Sequence, residues 1–325
     1  MKATDGRPRK VGCPGELRTA MSARDLIRLA RPTHWVKNVV VLLPVIFARR
    51  YTEIGVWLDA LQAAAAFCLA ASAIYIINDL ADLTRDKLHP AKKRRPLASG
   101  QVRVPAAVVE VLVLLAAAAA VARTLGWMPL AVVTAYVALQ LAYSWFLKTR
   151  VIVDVICIAT GFVLRAMAGA VAIGVEISPW LIICTFTICL FVGFCKRYNE
   201  LATLGQTAEA RDHRATLGSY TSSLLTHLIT LSAAVAVVGF LMYACSPRTV
   251  ASGHLGTVAL VYTLPLVIYA ICRFAMLSMS GRFSDPMDLL LHDGPMQVTA
   301  VLWVAVVLVI VRWGVAIEQW LRGLA

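Results

Sequence analysis

At 325 residues, 60% of them apolar and only 15% charged, the chain carries too little charge to clothe a water-soluble domain. Its 31 Lys and Arg against 18 Asp and Glu give a formal charge of +13. These basic residues are interleaved with long apolar runs, which argues against nucleic acid and for membrane lipids or phosphorylated substrates. Eight cysteines form no CxxC pair, so zinc and redox chemistry are set aside and the thiols read as packing residues.

Residues 1–22 hold Lys2, Arg7, Arg9, Lys10 and Arg18 with no apolar run. They read as a basic, disordered tail and not as a cleavable signal peptide. Residues 24–31 then suggest a short amphipathic helix at the membrane interface. A crossing needs roughly 20 apolar residues, and nine stretches are counted, near 35–49, 57–78, 105–122, 127–146, 151–174, 178–195, 221–245, 256–277 and 297–317, the first of them marginal because it opens with Trp35, Lys37 and Asn38. The predicted fold class is therefore all-α: one polytopic domain of nine transmembrane helices over residues 23–325. The runs are continuous, which excludes a β-barrel. With the N-terminus inside, 24 Lys and Arg fall on the cytoplasmic face against six on the other. The positive-inside rule thus predicts a bacterial inner (plasma) membrane protein with a cytoplasmic N-terminus. The two long loops, about 79–104 and 196–220, share that face and lie four spans apart, a spacing that hints at a duplicated four-helix unit. A homo-oligomer is compatible with this layout.

The first long loop opens with Asn78-Asp79-Leu80-Ala81-Asp82-Leu83-Thr84-Arg85-Asp86. On a continuous helix Asp79, Asp82 and Asp86 share one face, with Asn78 at its edge. Three carboxylates at the C-terminal end of a span repel one another and oppose the helix dipole, so a cation is expected there. Mg²⁺ suits the oxygen donors and leaves sites open for substrate phosphates. Lys92, Lys93, Arg94 and Arg95 follow, and Pro90 and Pro96 break the helix. A basic run beside metal-binding carboxylates fits a diphosphate bridged by Mg²⁺; by itself it would be ordinary positive-inside charge.

Span 6 ends in Lys196-Arg197-Tyr198-Asn199-Glu200-Leu201, with Arg211, Arg214, Leu217 and Tyr220 downstream. Lys196 and Glu200 stand at i,i+4, a spacing that fits a surface pair, while Lys196 and Arg197 on the face of the Asp cluster equally fit phosphate contacts. Arg165 lies near mid-span and calls for a polar cavity or a paired anion; Asp154, about three turns away on a similar face of that helix, offers a relation through another group. Lys37 and Asn38 open the first span behind Trp35, which reads as an interfacial belt residue. Asp285-Pro286-Met287-Asp288 and Asp293 read as a solvated loop.

The Asn78-Asp79-x-x-Asp82-x-x-x-Asp86 pattern, followed by His89-Pro90, Lys93, Arg95-Pro96 and Gly100, resembles the UbiA superfamily of membrane transferases. Tyr143, Lys148 and the Arg165…Gly169 spacing extend the resemblance, which implies helices around a central cavity open to lipid. Most members carry a second Asp-rich motif after the sixth span. Here Lys196 to Leu201 replaces it, and with Arg31-Pro32-x-x-Trp35-Val36-Lys37-Asn38 it resembles the phosphoribosyltransferase branch. That implies phosphoribosyl diphosphate (PRPP) as donor and a long-chain polyprenyl phosphate as acceptor. The resemblance implies that Asp79, Asp82 and Asp86 hold Mg²⁺ and diphosphate, oriented by Asn78. Lys37, Arg95, Lys148, Arg165, Lys196 and Arg197 are the candidate phosphate contacts. Asn38, Tyr143, Tyr198 and Glu200 complete the expected substrate site. The competing readings are prenyl transfer to an aromatic acceptor, which wants a second acidic motif, and transport of an anionic lipid, which has little use for three carboxylates.

Overall fold

Ser22 starts the first helix, α1 (Ala23–Ala30), as its N-cap: its hydroxyl accepts the Arg24 N–H while Asp25 accepts the Ser22 N–H. Arg31 ends it in a left-handed conformation (φ 52°) that turns the chain without a glycine. Leu29 is buried, with Leu26 beside it, against Ala73 and Ile76, while Arg24, Ile27 and Arg28 face outward. The amphipathic pattern is thus realised as a helix whose apolar face packs on Ala73 and Ile76 of the apolar 54–81 stretch.

The computed structural model describes residues 22–48, 50–88, 92–204, 220–246, 258–281, 289 and 292–322. The N-terminal tail, His89, Pro90, Arg211, Arg214, Leu217 and the Asp285-Pro286-Met287-Asp288 patch lie outside them. Beyond α1 come α2 (Pro32–Phe47), α3 (Ile54–Ala81), α4 (Leu83–Leu88), α5 (Val104–Thr124), α6 (Trp127–Trp145) and α7 (Val153–Ala172). The second half holds α8 (Pro179–Leu204), α9 (Ser222–Cys245), α10 (Leu264–Met279) and α11 (Gly294–Arg322). Among the described residues eight helices are long and apolar enough to cross a membrane. The chain is an all-α, multi-pass membrane protein. More than half of the apolar window of α3 and of α7 is buried (56% each) against 17% for α5. So α3 and α7 form the centre, and α5 turns its valines and leucines to lipid.

The expected first span departs from a plain helix. Pro32–Leu42 winds as a 3₁₀ helix and only Leu43–Phe47 as α. Pro32 and Pro44 lack donors, and Val36, Val39, Val40 and Val41 are β-branched, so an α ladder is poorly favoured. The segment instead seats its backbone on α7. A Cβ on Gly169 would stand 1.9 Å from the Val41 carbonyl oxygen and 3.2 Å from Pro44 Cγ. Only glycine permits that approach. Gly169→Ala is therefore expected to push α2 off α7 and cost about 1–3 kcal/mol, seen as a lowered melting temperature in detergent. An unchanged melting temperature would remove the close-approach account.

Candidate functional site

The acidic segment sits where α3 ends. Its helix breaks at Asp82 (φ −96°, ψ 7°) and resumes as α4. The continuous helical face expected for the three carboxylates is therefore absent, and they divide. Asp79 (4% exposed) and Asp86 (2%) turn inward and meet on one guanidinium. Arg95 Nη1 lies 2.9 Å from Asp79 Oδ1 and 2.6 Å from Asp86 Oδ2. Arg31 Nη2 adds bonds of 2.5 and 2.6 Å to the two oxygens of Asp79, and Lys92 stands 3.9 Å from Asp86. Asp82, half-exposed, faces Lys148 at 3.3 Å. Asn78 accepts a 2.5 Å bond from the Ser144 hydroxyl, which fixes its amide beside the carboxylates.

The loop that delivers Arg95 is shaped by its own residues. Leu97 and Val102 plug into the apolar cluster around Leu29 and Ile76. Gly100 (φ 80°) turns the chain back, and Val102 N–H bonds the Pro96 carbonyl at 3.0 Å. Of the four consecutive basic residues only Arg95 turns inward; Lys92, Lys93 and Arg94 are exposed.

Among the described residues no three His, Cys, Asp or Glu side chains form a ready metal cage. Two buried carboxylates that already share one cationic nitrogen do fit Mg²⁺, which commonly takes one or two carboxylates and leaves its other positions to phosphate and water.

A second ionic group braces the start of α7 against α8. Asp154 is fully buried and lies 2.9 Å from Arg197 Nε, close but not aligned as a hydrogen bond. Arg197, 2% exposed, also bonds Glu200. Glu200 thus pairs at i,i+3 with Arg197. The Tyr220 hydroxyl donates to Asp154 (3.1 Å) and accepts the Ile152 N–H (2.6 Å). That anchors Ile152 at a positive φ of 68°, costly for a β-branched residue. The α6–α7 turn held in this way carries Lys148.

Arg165 forms a third group within the bundle, with neutral partners. Nε bonds Asn38 (2.7 Å), Nη1 the Gly161 carbonyl (2.9 Å) and Nη2 the Tyr136 hydroxyl (2.9 Å). The Tyr136, Phe162 and Phe67 rings lie 4.7, 5.0 and 6.0 Å from its centre. Asp154 is not among its direct partners and pairs with Arg197 instead. Lys37 is half-buried beside Asn38, Tyr143 and Lys196 are half-buried near the same end as Arg197, and Tyr198 packs on the apolar core of α8–α10. Trp35 is more than a belt residue, since its indole N–H bonds Ser72 at 3.0 Å. Asp293 is likewise not solvated: it holds Arg273 at 2.6 and 2.8 Å and caps α11 through the Met296 N–H.

With that geometry in place, the relatives agree on one lineage. The profile of the UbiA prenyltransferase family matches residues 39–286. The chain belongs to that family. It is 34% identical to the decaprenyl-phosphate phosphoribosyltransferase of Mycobacterium tuberculosis (strain H37Rv), over 89% of this chain and 95% of the relative. The enzyme of the same description from Mycolicibacterium smegmatis is 35% identical over 87% and 91%. A UbiA homolog from Archaeoglobus fulgidus, solved with GPP and Mg²⁺, shares the fold at a TM-score of 0.63 and 17% identity, covering 89% of this chain and 99% of its own.

In this UbiA chain, neither Arg31 nor Ser144 shows its contact in the sequence. Arg31 belongs to the Arg31-Pro32-x-x-Trp35 motif, but its contact with Asp79 bridges 48 positions, and Ser144 meets Asn78 across 66, distances over which no local pattern carries.

Two outcomes test the brace. Arg197→Leu leaves Asp154 buried without its cation and is expected to cost about 3–5 kcal/mol of stability, measured by detergent-phase melting; intact stability with only a raised donor KM would overturn the structural role. Burial, with Asp154 alongside, raises the Tyr220 hydroxyl from 10.0 to about 12. Ionising it opposes folding, so its contribution is complete below about pH 10 and lost toward 12. Tyr220→Phe is expected to be less stable than wild type below pH 10, with the gap closing above it.

Proposed function

We propose that this chain transfers the 5-phosphoribosyl group of PRPP to the phosphate oxygen of a long-chain, decaprenyl-type polyprenyl phosphate and releases diphosphate. The observation that carries the reading is the pair of buried carboxylates, Asp79 and Asp86, encircled by Arg31, Lys92 and Arg95, with Lys148 on Asp82. Negative groups that would repel a diphosphate are here packed with more cations than they neutralise. Two relatives described as decaprenyl-phosphate phosphoribosyltransferases, similar along nearly their whole length, support a phosphoribosyl group as the part transferred and a polyprenyl phosphate as its acceptor.

In this mechanism Asp79 and Asp86 would hold Mg²⁺, with Asp82 joining them from across the helix break on giving up Lys148, and the ion would draw charge from the departing diphosphate. Asn78, fixed by Ser144, orients that set. Arg95, Lys148, Lys196 and Lys37 bind the donor's phosphates and hold C1 open for in-line attack. The C1–diphosphate bond breaks as an oxygen of the acceptor phosphate bonds to C1. That oxygen is already anionic, so no strong base is needed. Tyr143 borders the sugar. Arg197, enclosed by Asp154 and Glu200, is read as a positioning residue, and Arg165 as a support for Asn38 and hence for Lys37.

The acceptor's chain finds an apolar groove of about 450 Å³ between α2, α8, α9 and α11, lined by Pro44, Phe47, Trp180, Ile188, Phe240 and Trp303. The site-bearing end is assigned to the cytoplasmic side of a bacterial plasma membrane, the side to which the sequence count gives 24 of the 31 Lys and Arg. α2 supplies the ninth crossing: eleven residues at the longer 3₁₀ rise plus five of α-helix reach about 30 Å, the hydrocarbon thickness.

Purified protein given Mg²⁺, labelled PRPP and polyprenyl phosphate is expected to yield a labelled lipid and free diphosphate. Product from a prenyl diphosphate and 4-hydroxybenzoate instead would overturn the proposal. Asp82→Ala, at a half-exposed site, is expected to keep its melting temperature and lose at least about 100-fold in kcat; wild-type turnover would remove Asp82 from the metal set.

A further inference from the structure

Arg31 sits outside the proposed phosphate contacts, yet it makes the closest cationic contact to the acidic pair. Its Nη2 touches both oxygens of Asp79, and Arg95 holds one of them as well. Asp79 is 4% exposed, so a divalent ion seeking this carboxylate must compete with guanidinium groups already on it. Arg95 has a second acceptor in Asp86 at 2.6 Å. Arg31 has Asp79, and its guanidinium lies 5.5 Å from the Tyr75 ring centre.

The backbone around Arg31 is held from both sides. Ser72 Oγ donates to the Ala30 carbonyl at 2.8 Å and accepts the Trp35 indole N–H at 3.0 Å. Any adjustment is therefore made by the side chain, which is partly exposed (23%) and rests along an aromatic face. A guanidinium leaving a carboxylate needs another planar pair of oxygens, and a phosphate offers it.

We infer that Arg31 is an exchange ligand: it gives up Asp79 only as it takes a phosphate oxygen of the donor, which makes metal binding and donor binding mutually dependent. This rests on the reading of the site as a magnesium–diphosphate centre. The same carboxylate that binds the metal is thereby closed to a bare ion and opened by the substrate. Such coupling is reciprocal, so the donor must also bind better when the metal is present.

Mn²⁺, counted by electron paramagnetic resonance on the full-length protein in detergent, is the probe, with and without PRPP and with no acceptor lipid. In wild type PRPP is expected to tighten Mn²⁺ binding by about tenfold or more. In Arg31→Gln bare Mn²⁺ is expected to bind several-fold tighter, with the PRPP enhancement largely gone. Arg31→Lys, which keeps the charge and guards against a folding defect, is expected to fall between the two. Lys92→Gln removes an equal charge close to Asp86 and sets the purely electrostatic baseline; Arg31→Gln must exceed it. Bare-metal affinity in Arg31→Gln no better than that baseline, or a full PRPP enhancement, overturns the exchange. A wild-type protein that binds no Mn²⁺ even with PRPP overturns the magnesium–diphosphate reading itself.

Discussion

A buried carboxylate at the end of a transmembrane helix has to be neutralised, and the architecture around Asp79 follows from that need. The C-terminal end of α3 already carries the negative pole of its dipole. An isolated charge there would be costly enough to shift its protonation or melt the helix end. The chain answers with two arginines from different directions, Arg31 from the elbow between α1 and α2 and Arg95 from the loop before α5. One carboxylate therefore fixes three segments at the same point. The price of that fixation is a reserve of positive charge, which an incoming polyanion can use.

Two ionic groups at this end of the bundle differ in what water can reach. Arg197 and Asp154 are 2% and 0% exposed, whereas Arg95 and Arg31 retain 31% and 23%. A dry pair closed by Tyr220 and Glu200 has little room to change partners and behaves as a brace. A wetter cluster can trade one anion for another at low cost. Exposure, more than charge, separates the braced group from the proposed binding group. The brace still serves the chemistry, because it holds the turn that carries Lys148 to Asp82.

Arg165 shows a different solution to the same electrostatic problem. Neutral acceptors on α2, α6 and α7 and the faces of three aromatic rings surround it. Each is individually weak, but together they spread the charge where water is excluded. The effect is to tie the 3₁₀ stretch of α2 to the central helix at Asn38, while Gly169 lets the backbones meet one turn further along. α2 is thus positioned by packing and hydrogen bonds and not by its own helix propensity.

The sequence by itself determined the membrane class, the all-α fold, nearly all the spans and the acidic and basic segments that make the site. These rest on run length, charge asymmetry and short-range spacing, which need no partner strand of chain. It also supported a family resemblance through residues close together in the chain, such as Asn78 to Asp86. Tertiary structure alone decided which charges meet. Asp154 joined Arg197 and not Arg165, Asp82 left the other two carboxylates where the helix broke, and Arg31 reached Asp79 across 48 positions. The reason is physical: a charge in a low-dielectric setting takes the partner that the packed helices place within about 3 Å, and that placement is set by contacts between segments distant in the chain.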